Sequence, residues 1–173
     1  MRLLERLRRV NYVTGQLLTA ADLERDQEYF RDRLRRHNRA LHGWGVVSGL
    51  DVDVHDDDGT VTVTVAPGYA LGPQGDEIVV AEQVSLALPA AGTHWVVAAR
   101  YDERLVEPLP AAIVGMGDQG VRFGATEETS VVEVLAAIPE ASDSPWVTLA
   151  DVHRACGGGI RVDQGGRRRA KAP

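Results

Sequence analysis

The order of apolar and polar residues changes period near Trp44, and that change divides the chain. Before it, Leu23, Phe30, Leu34, His37 and Leu41 recur at spacings of three, four and seven, one stripe along a helix running from Ala20 to about Leu41. Glu24, Arg25, Asp26, Glu28, Arg31, Asp32, Arg33, Arg35, Arg36 and Arg39 fill most of the remaining surface. Thr19 is placed as an N-cap and Asp22, three residues on, nearly completes a capping box. Acids gather in the first half of this segment and arginines in the second, which suits the helix dipole at both ends. Gly43 and Gly45 then stop it. The apolar positions are too few for burial all round. One face is expected to pack on the domain and the other to meet water or a partner.

After Trp44 the period becomes two. Val46, Val47, Leu50, Val52 and Val54 read as one strand, followed by a turn rich in aspartate. Val61, Val63 and Val65 alternate with threonines, so a β-hairpin across Asp58 and Gly59 is predicted. Strands are also expected at 76–80, 84–88, 93–101, 130–138, 146–152 and 160–162, with a charged loop at 102–110 and a glycine-rich, ambiguous stretch at 111–125. The organisation that follows is an N-terminal arm at 1–18, a long helix at 19–43, a β domain at 44–163 forming one domain with the helix, and a disordered basic tail at 164–173. The fold class is α+β: one long N-terminal amphipathic helix followed by a mostly antiparallel β sandwich or partly closed barrel.

Composition narrows what such a domain can do. The 173 residues carry a net charge of −6, which argues against general nucleic-acid binding. Cys156 is the single cysteine, so neither a disulfide framework nor a cysteine metal cluster is available, and a reducing compartment fits. The N-terminal MRLLERLRRV alternates leucine with arginine and lacks the apolar core of a secretory signal. It reads either as a docking arm for an acidic partner or as a frayed charged terminus. No apolar run is long enough to span a bilayer, so the chain is expected in the cytoplasm or in a particle released without a signal peptide.

No group of residues makes a convincing active site, and no enzyme, cofactor or metal is expected. His37 and His42 are five apart and lack the (i, i+4) geometry and carboxylate of a helical metal site. Asp51, Asp53, Asp56, Asp57 and Asp58 offer oxygens for calcium without the order of an EF-hand loop. Ser48 is not in a nucleophile elbow, Cys156 has no paired histidine, and the glycines at 115–120 and 157–159 match no phosphate-binding fingerprint. What stands out is an arginine-rich contact surface on an acidic protein. Arg31, Arg35, Arg36 and Arg39, with Trp44, are the candidate partner-binding residues, and the basic tail could meet phosphate or an acidic protein face.

Three segments carry a resemblance: NYVTGQLLTAADL at 11–23, HNRALHGWGVVSGL at 37–50 and APGYALGPQGDEIVV at 66–80. The chain resembles small baseplate- or tail-associated proteins of phage-tail-like contractile injection systems, and the N-terminal module of some longer tail proteins. The segment RYDERLVEPLP at 100–110 fits the same style. The resemblance implies a structural or adaptor part of a particle (baseplate, cap or fibre attachment). Its partners would be the other subunits of the particle, with the chain a homo-oligomer or present in symmetric copies. A carbohydrate- or ligand-binding β module is the alternative, with a metal-dependent hydrolase a distant third.

Overall fold

Helix α1 spans Ala20–His37 and begins as its sequence predicts. The Thr19 hydroxyl accepts from the Asp22 amide at 3.3 Å while Asp22 Oδ2 accepts from the Thr19 amide at 3.0 Å, a complete capping box. The helix then widens into a single π-helical turn, Asn38–His42, closed by the Gly43 amide donating to the Asn38 carbonyl at 3.0 Å. Gly43 takes a left-handed backbone and ends the segment. The computed structural model describes residues 6–57, 59–110, 121–139 and 144–171. The expectations for residues 1–5, Asp58, 111–120, 140–143 and 172–173 lie outside the described residues.

Ten strands follow: β1 Gly45–Gly49, β2 Val52–Asp57, β3 Thr60–Val65, β4 Gly68–Leu71, β5 Glu77–Val80, β6 Val84–Ala87, β7 His94–Pro108, β8 Phe123–Leu135, β9 Val147–Arg154 and β10 Ile160–Asp163. They form three open sheets ordered β1-β4-β5, β2-β3-β6 and β10-β9-β7-β8, with every paired strand antiparallel. The chain is thus an α+β sandwich, and no sheet closes into a barrel. The alternating valines of β3 place Val63 and Val65 in one core with Val46, Leu50, Ile78, Trp95, Val97, Leu149 and Val152. Each such fully buried aliphatic side chain contributes about 1.5–3 kcal/mol, so this shared core is what makes three small sheets one body.

Three expectations change. The run 46–54 is not one strand: it breaks at Gly49 and Leu50, both left-handed, and β1 and β2 belong to different sheets. A left-handed leucine costs roughly 1–2 kcal/mol. The cost is offset because the side chain of Leu50 is completely buried by the reversal. The charged segment 102–110 is not a loop either. It continues β7 as far as Pro108 and pairs with β8, forming a two-stranded ribbon beyond the end of β9. Its charges are satisfied laterally, by the cross-strand pair Arg104–Glu127 and the Arg100–Asp102 pair at 2.8 Å, so a strand here needs no apolar face.

The tail is the third change. Residues 164–171 are laid against β1 and β2 rather than disordered. The Val46 amide donates to the Arg168 carbonyl at 2.9 Å, and the Ala170 amide to the Val46 carbonyl at 3.1 Å. The Gln164 side-chain amide brackets Val52, accepting from its N–H at 3.3 Å and donating to its carbonyl at 3.0 Å. Arg167 donates to the Leu50 carbonyl at 3.2 Å and to Asp51 at 3.0 Å, clamping the break between the two strands. A tail with nothing apolar to bury is held because an edge strand offers unpaired backbone groups.

Candidate functional site

Helix α1 meets the β body through its polar flank. Arg35 Nε donates to Asp76 Oδ1 at 2.5 Å, half-buried, and Arg31 Nη1 donates to Glu103 Oε1 at 3.1 Å. Asn38 is the one buried polar residue among the described residues, and its amide donates to the Gly75 carbonyl at 2.9 Å. Gly75 itself is left-handed, and a Cβ there would collide with the Arg35 carbonyl. The β4–β5 turn is therefore the seat on which the helix backbone rests.

The apolar stripe runs beside these contacts, Phe30 and Leu34 edging the hollows between helix and body without being buried. Written as a heptad, Ala20, Gln27, Leu34 and Leu41 fall at a, and Leu23, Phe30 and His37 at d, the narrow seam of a coiled coil. No residue of α1 is buried: Leu23 is 50% exposed, Phe30 58%, Leu34 49% and, just beyond, Leu41 62%. Tyr12, Val13, Leu17 and Leu18 in the lead-in are exposed as well. The expectation that the apolar face packs on the domain is thus corrected. The body surface facing the helix carries Asp76, Glu103 and Glu128, which complement arginines and not leucines.

Between α1 and the β7–β8 ribbon lies a cleft of about 590 Å³. Glu24, Gln27, Phe30 and Arg31 form one wall, and Glu103, Thr126 and Glu128 the other. In the adjoining hollow beside Leu34 and Arg35, Tyr101 donates to Glu103 at 2.8 Å. Burial first, then that hydrogen bond and the charge of Glu128, hold the Tyr101 phenol well above its ordinary range, so it remains a neutral donor. Neither Glu24 nor Glu128 has an ion-pair partner among the described residues.

Of the five residues expected to bind a partner, Arg31 and Arg35 anchor the helix to its own body. Trp44 lies under the Arg168 guanidinium at 4.3 Å, and Arg168 also donates to the Trp44 carbonyl at 3.0 Å. Arg36 and Arg39 are half-buried and engaged within the chain. The arginine-rich half is therefore in large part the helix's own mooring. The leucine–phenylalanine stripe was read in the sequence but assigned to the domain's own packing; the structure leaves it exposed.

The other candidates resolve simply. The His37 and His42 rings sit 5.4 Å apart. Asp51 pairs with Arg167, and Asp56 accepts from the Gly59 amide at 3.1 Å to shape the hairpin turn. A cross-strand pair that sequence gave no hint of, His94 and His153, has rings 4.7 Å apart, with His94 3.0 Å from Asp151. Among the described residues no three His, Cys, Asp or Glu side chains converge on a metal position. Ser48 is exposed on β1, Cys156 is exposed, and the glycines at 157–159 belong to the β9–β10 turn. No helix among the described residues is long and apolar enough to cross a membrane.

The site is thus a capped helix moored by its polar flank to an α+β sandwich, with its apolar seam about half exposed or more. No protein-family model matches the chain, and no curated protein matches it. Among solved structures it is similar to a crystal structure of TssK, at 14% identity and a TM-score of 0.53, over 91% of this chain and 41% of that one. The baseplate complex from the type VI secretion system matches with 11% identity, a TM-score of 0.49, and 92% and 58% coverage. A TssK-TssF-TssG baseplate subcomplex of the same system, solved by cryo-electron microscopy, matches with 14%, 0.49, and 96% and 62%. The likeness to TssK is one of fold, and this chain spans about two fifths of that protein's length.

Proposed function

We propose that the chain is a structural subunit of the baseplate of a contractile injection system or related tail-like particle, working by protein–protein assembly and not by catalysis. Copies of it associate with one another and with other subunits of the particle through helix α1. The observation that carries this reading is the seam of Leu23, Phe30, Leu34 and Leu41, each about half or more exposed and in coiled-coil register on a helix whose adjoining e flank is already docked. The shared fold with TssK and the motifs at 11–23, 37–50 and 66–80 support the kind of particle.

Light scattering coupled to gel filtration tests the association. The wild-type chain should run at a multiple of its 18.7 kDa mass. Leu34→Asp should run as a single chain with an unchanged circular dichroism spectrum. Co-purification of the wild type, but not of Leu34→Asp, with the baseplate proteins of its own particle completes the test. A wild type that stays monomeric at all concentrations and captures none of them would overturn the reading.

A further inference from the structure

The mooring of α1 decides which way a second copy can lie. The body occupies the flank of the seam that carries the e positions: Arg31 and Asn38 are at e, Arg35 is at b, and all three contact it. The other flank, with Asp26, Arg33 and Ala40 at g, is met by Tyr12 of the lead-in at Asp26 and is open at Arg33 and Ala40. Along it runs a shallow hollow of about 340 Å³ between Arg33, Arg36, His37, Ala40 and Leu41. An antiparallel pair would set e against e, bringing both bodies to one side and the acidic ribbons, with Glu103 and Glu128, towards each other. A parallel pair sets e against g, so each body meets only the g flank of its neighbour.

In that parallel register two charges of this flank fall opposite the body side, of which Asp26 is already met by Tyr12 of its own copy. Asp26 of the second copy comes across from Arg31, five positions on, as g and e residues do in a parallel coil. Arg33 of the second copy comes level with the small hollow lined by Leu34, Tyr101 and Glu128. Arg33 is exposed and has no hydrogen bond or ion pair among the described residues, and Glu128 is an exposed carboxylate without an ion-pair partner among them. Glu103 is already shared by Arg31 and Tyr101, Asp76 is held by Arg35, and Glu77, the other carboxylate of the hollow, is engaged by Tyr69, which leaves Glu128 as the open acceptor at this level.

We infer that copies of the chain associate with their α1 helices parallel, and that Arg33 of one copy enters the small hollow lined by Leu34, Tyr101 and Glu128 of the next and pairs there with Glu128. This rests on self-association through the α1 seam as proposed above. Each copy gives one arginine and receives another, so the contact is made twice in a two-fold parallel pair or once per interface around a closed ring of copies. The seam supplies the apolar burial; the charge pair sets the direction and register.

A charge-reversal cycle tests it by analytical ultracentrifugation of wild type, Arg33→Glu, Glu128→Arg and the double variant, each first checked for a native circular dichroism spectrum. Both residues are exposed, so the fold should tolerate all three changes. Each single reversal should weaken association at least about tenfold, and the double variant should recover most of that loss. A wild type that does not self-associate overturns the α1 reading itself. Self-association that the single reversals leave unchanged, or that the double variant fails to restore, overturns the Arg33–Glu128 pairing while leaving the seam standing.

Discussion

Leu149 and Leu34 are the same side chain in opposite settings. Leu149 in β9 is completely enclosed between sheets; Leu34 in α1 keeps 49% of its surface in water. The body around Leu149 is held by aliphatic burial shared among three sheets. Helix α1 is held on that body by two ion pairs, one buried amide and a glycine that lets backbones touch. On the proposed reading, a helix moored by polar contacts, with its leucines turned outward, is completed by a second copy. The β body needs no such completion.

The sharpest way to break this contrast is to open the core. Leu149→Ala should cost about 2–5 kcal/mol, read as a fall in the urea midpoint, and should destabilise the body as one unit. A loss well below 1 kcal/mol would mean that the core is not the common support described here.

Next in size comes the mooring. Asn38→Ala removes the donor to the buried Gly75 carbonyl and should cost about 1–3 kcal/mol. The loss should appear as faster hydrogen exchange across α1, with β3, β7 and β9 unchanged. Equal acceleration in helix and body would erase the distinction between them.

The capping box is smaller and local. Thr19→Ala should cost about 1 kcal/mol of helix stability. It also carries a pH signature. The hydrogen bonds from Thr19 hold the Asp22 carboxyl below its ordinary range. A depressed folded-state value means that the stabilisation is complete above the ordinary carboxylate range and is lost as pH falls through the lowered value. The first turn of α1 should therefore be insensitive to pH near neutrality and fray only in acid. Fraying that begins near neutral pH would contradict the box.

The smallest expected effect is the most telling. Leu34→Ser should change monomer stability by no more than about 0.5 kcal/mol, as for other surface positions, while weakening self-association. A large loss in dilute, monomeric protein would show that the seam is buried on its own body after all.

Much of this was readable along the chain. The helix start at Thr19, its stop at Gly43, the valine alternation of β3 and the strands near 93–101 and 146–152 follow from local periodicity and capping, which involve only neighbouring residues. The ribbon at 102–108 and the ordered tail were hidden for the opposite reason. Their stability comes from partners far along the chain, Glu127 for Arg104 and Val46 for Arg168, so their own composition reads as loop and disorder.

The amphipathic stripe lies between these cases. Its register and chemistry were determined by the sequence alone, since a seven-residue repeat of apolar positions is a local property of a helix. Which flank would face the body was not. That was decided when Gly75, Asp76 and Glu103, brought together from separate sheets, offered α1 a carbonyl and two carboxylates in place of an apolar surface. Arginines and Asn38 answered those groups, and the leucines were left facing out.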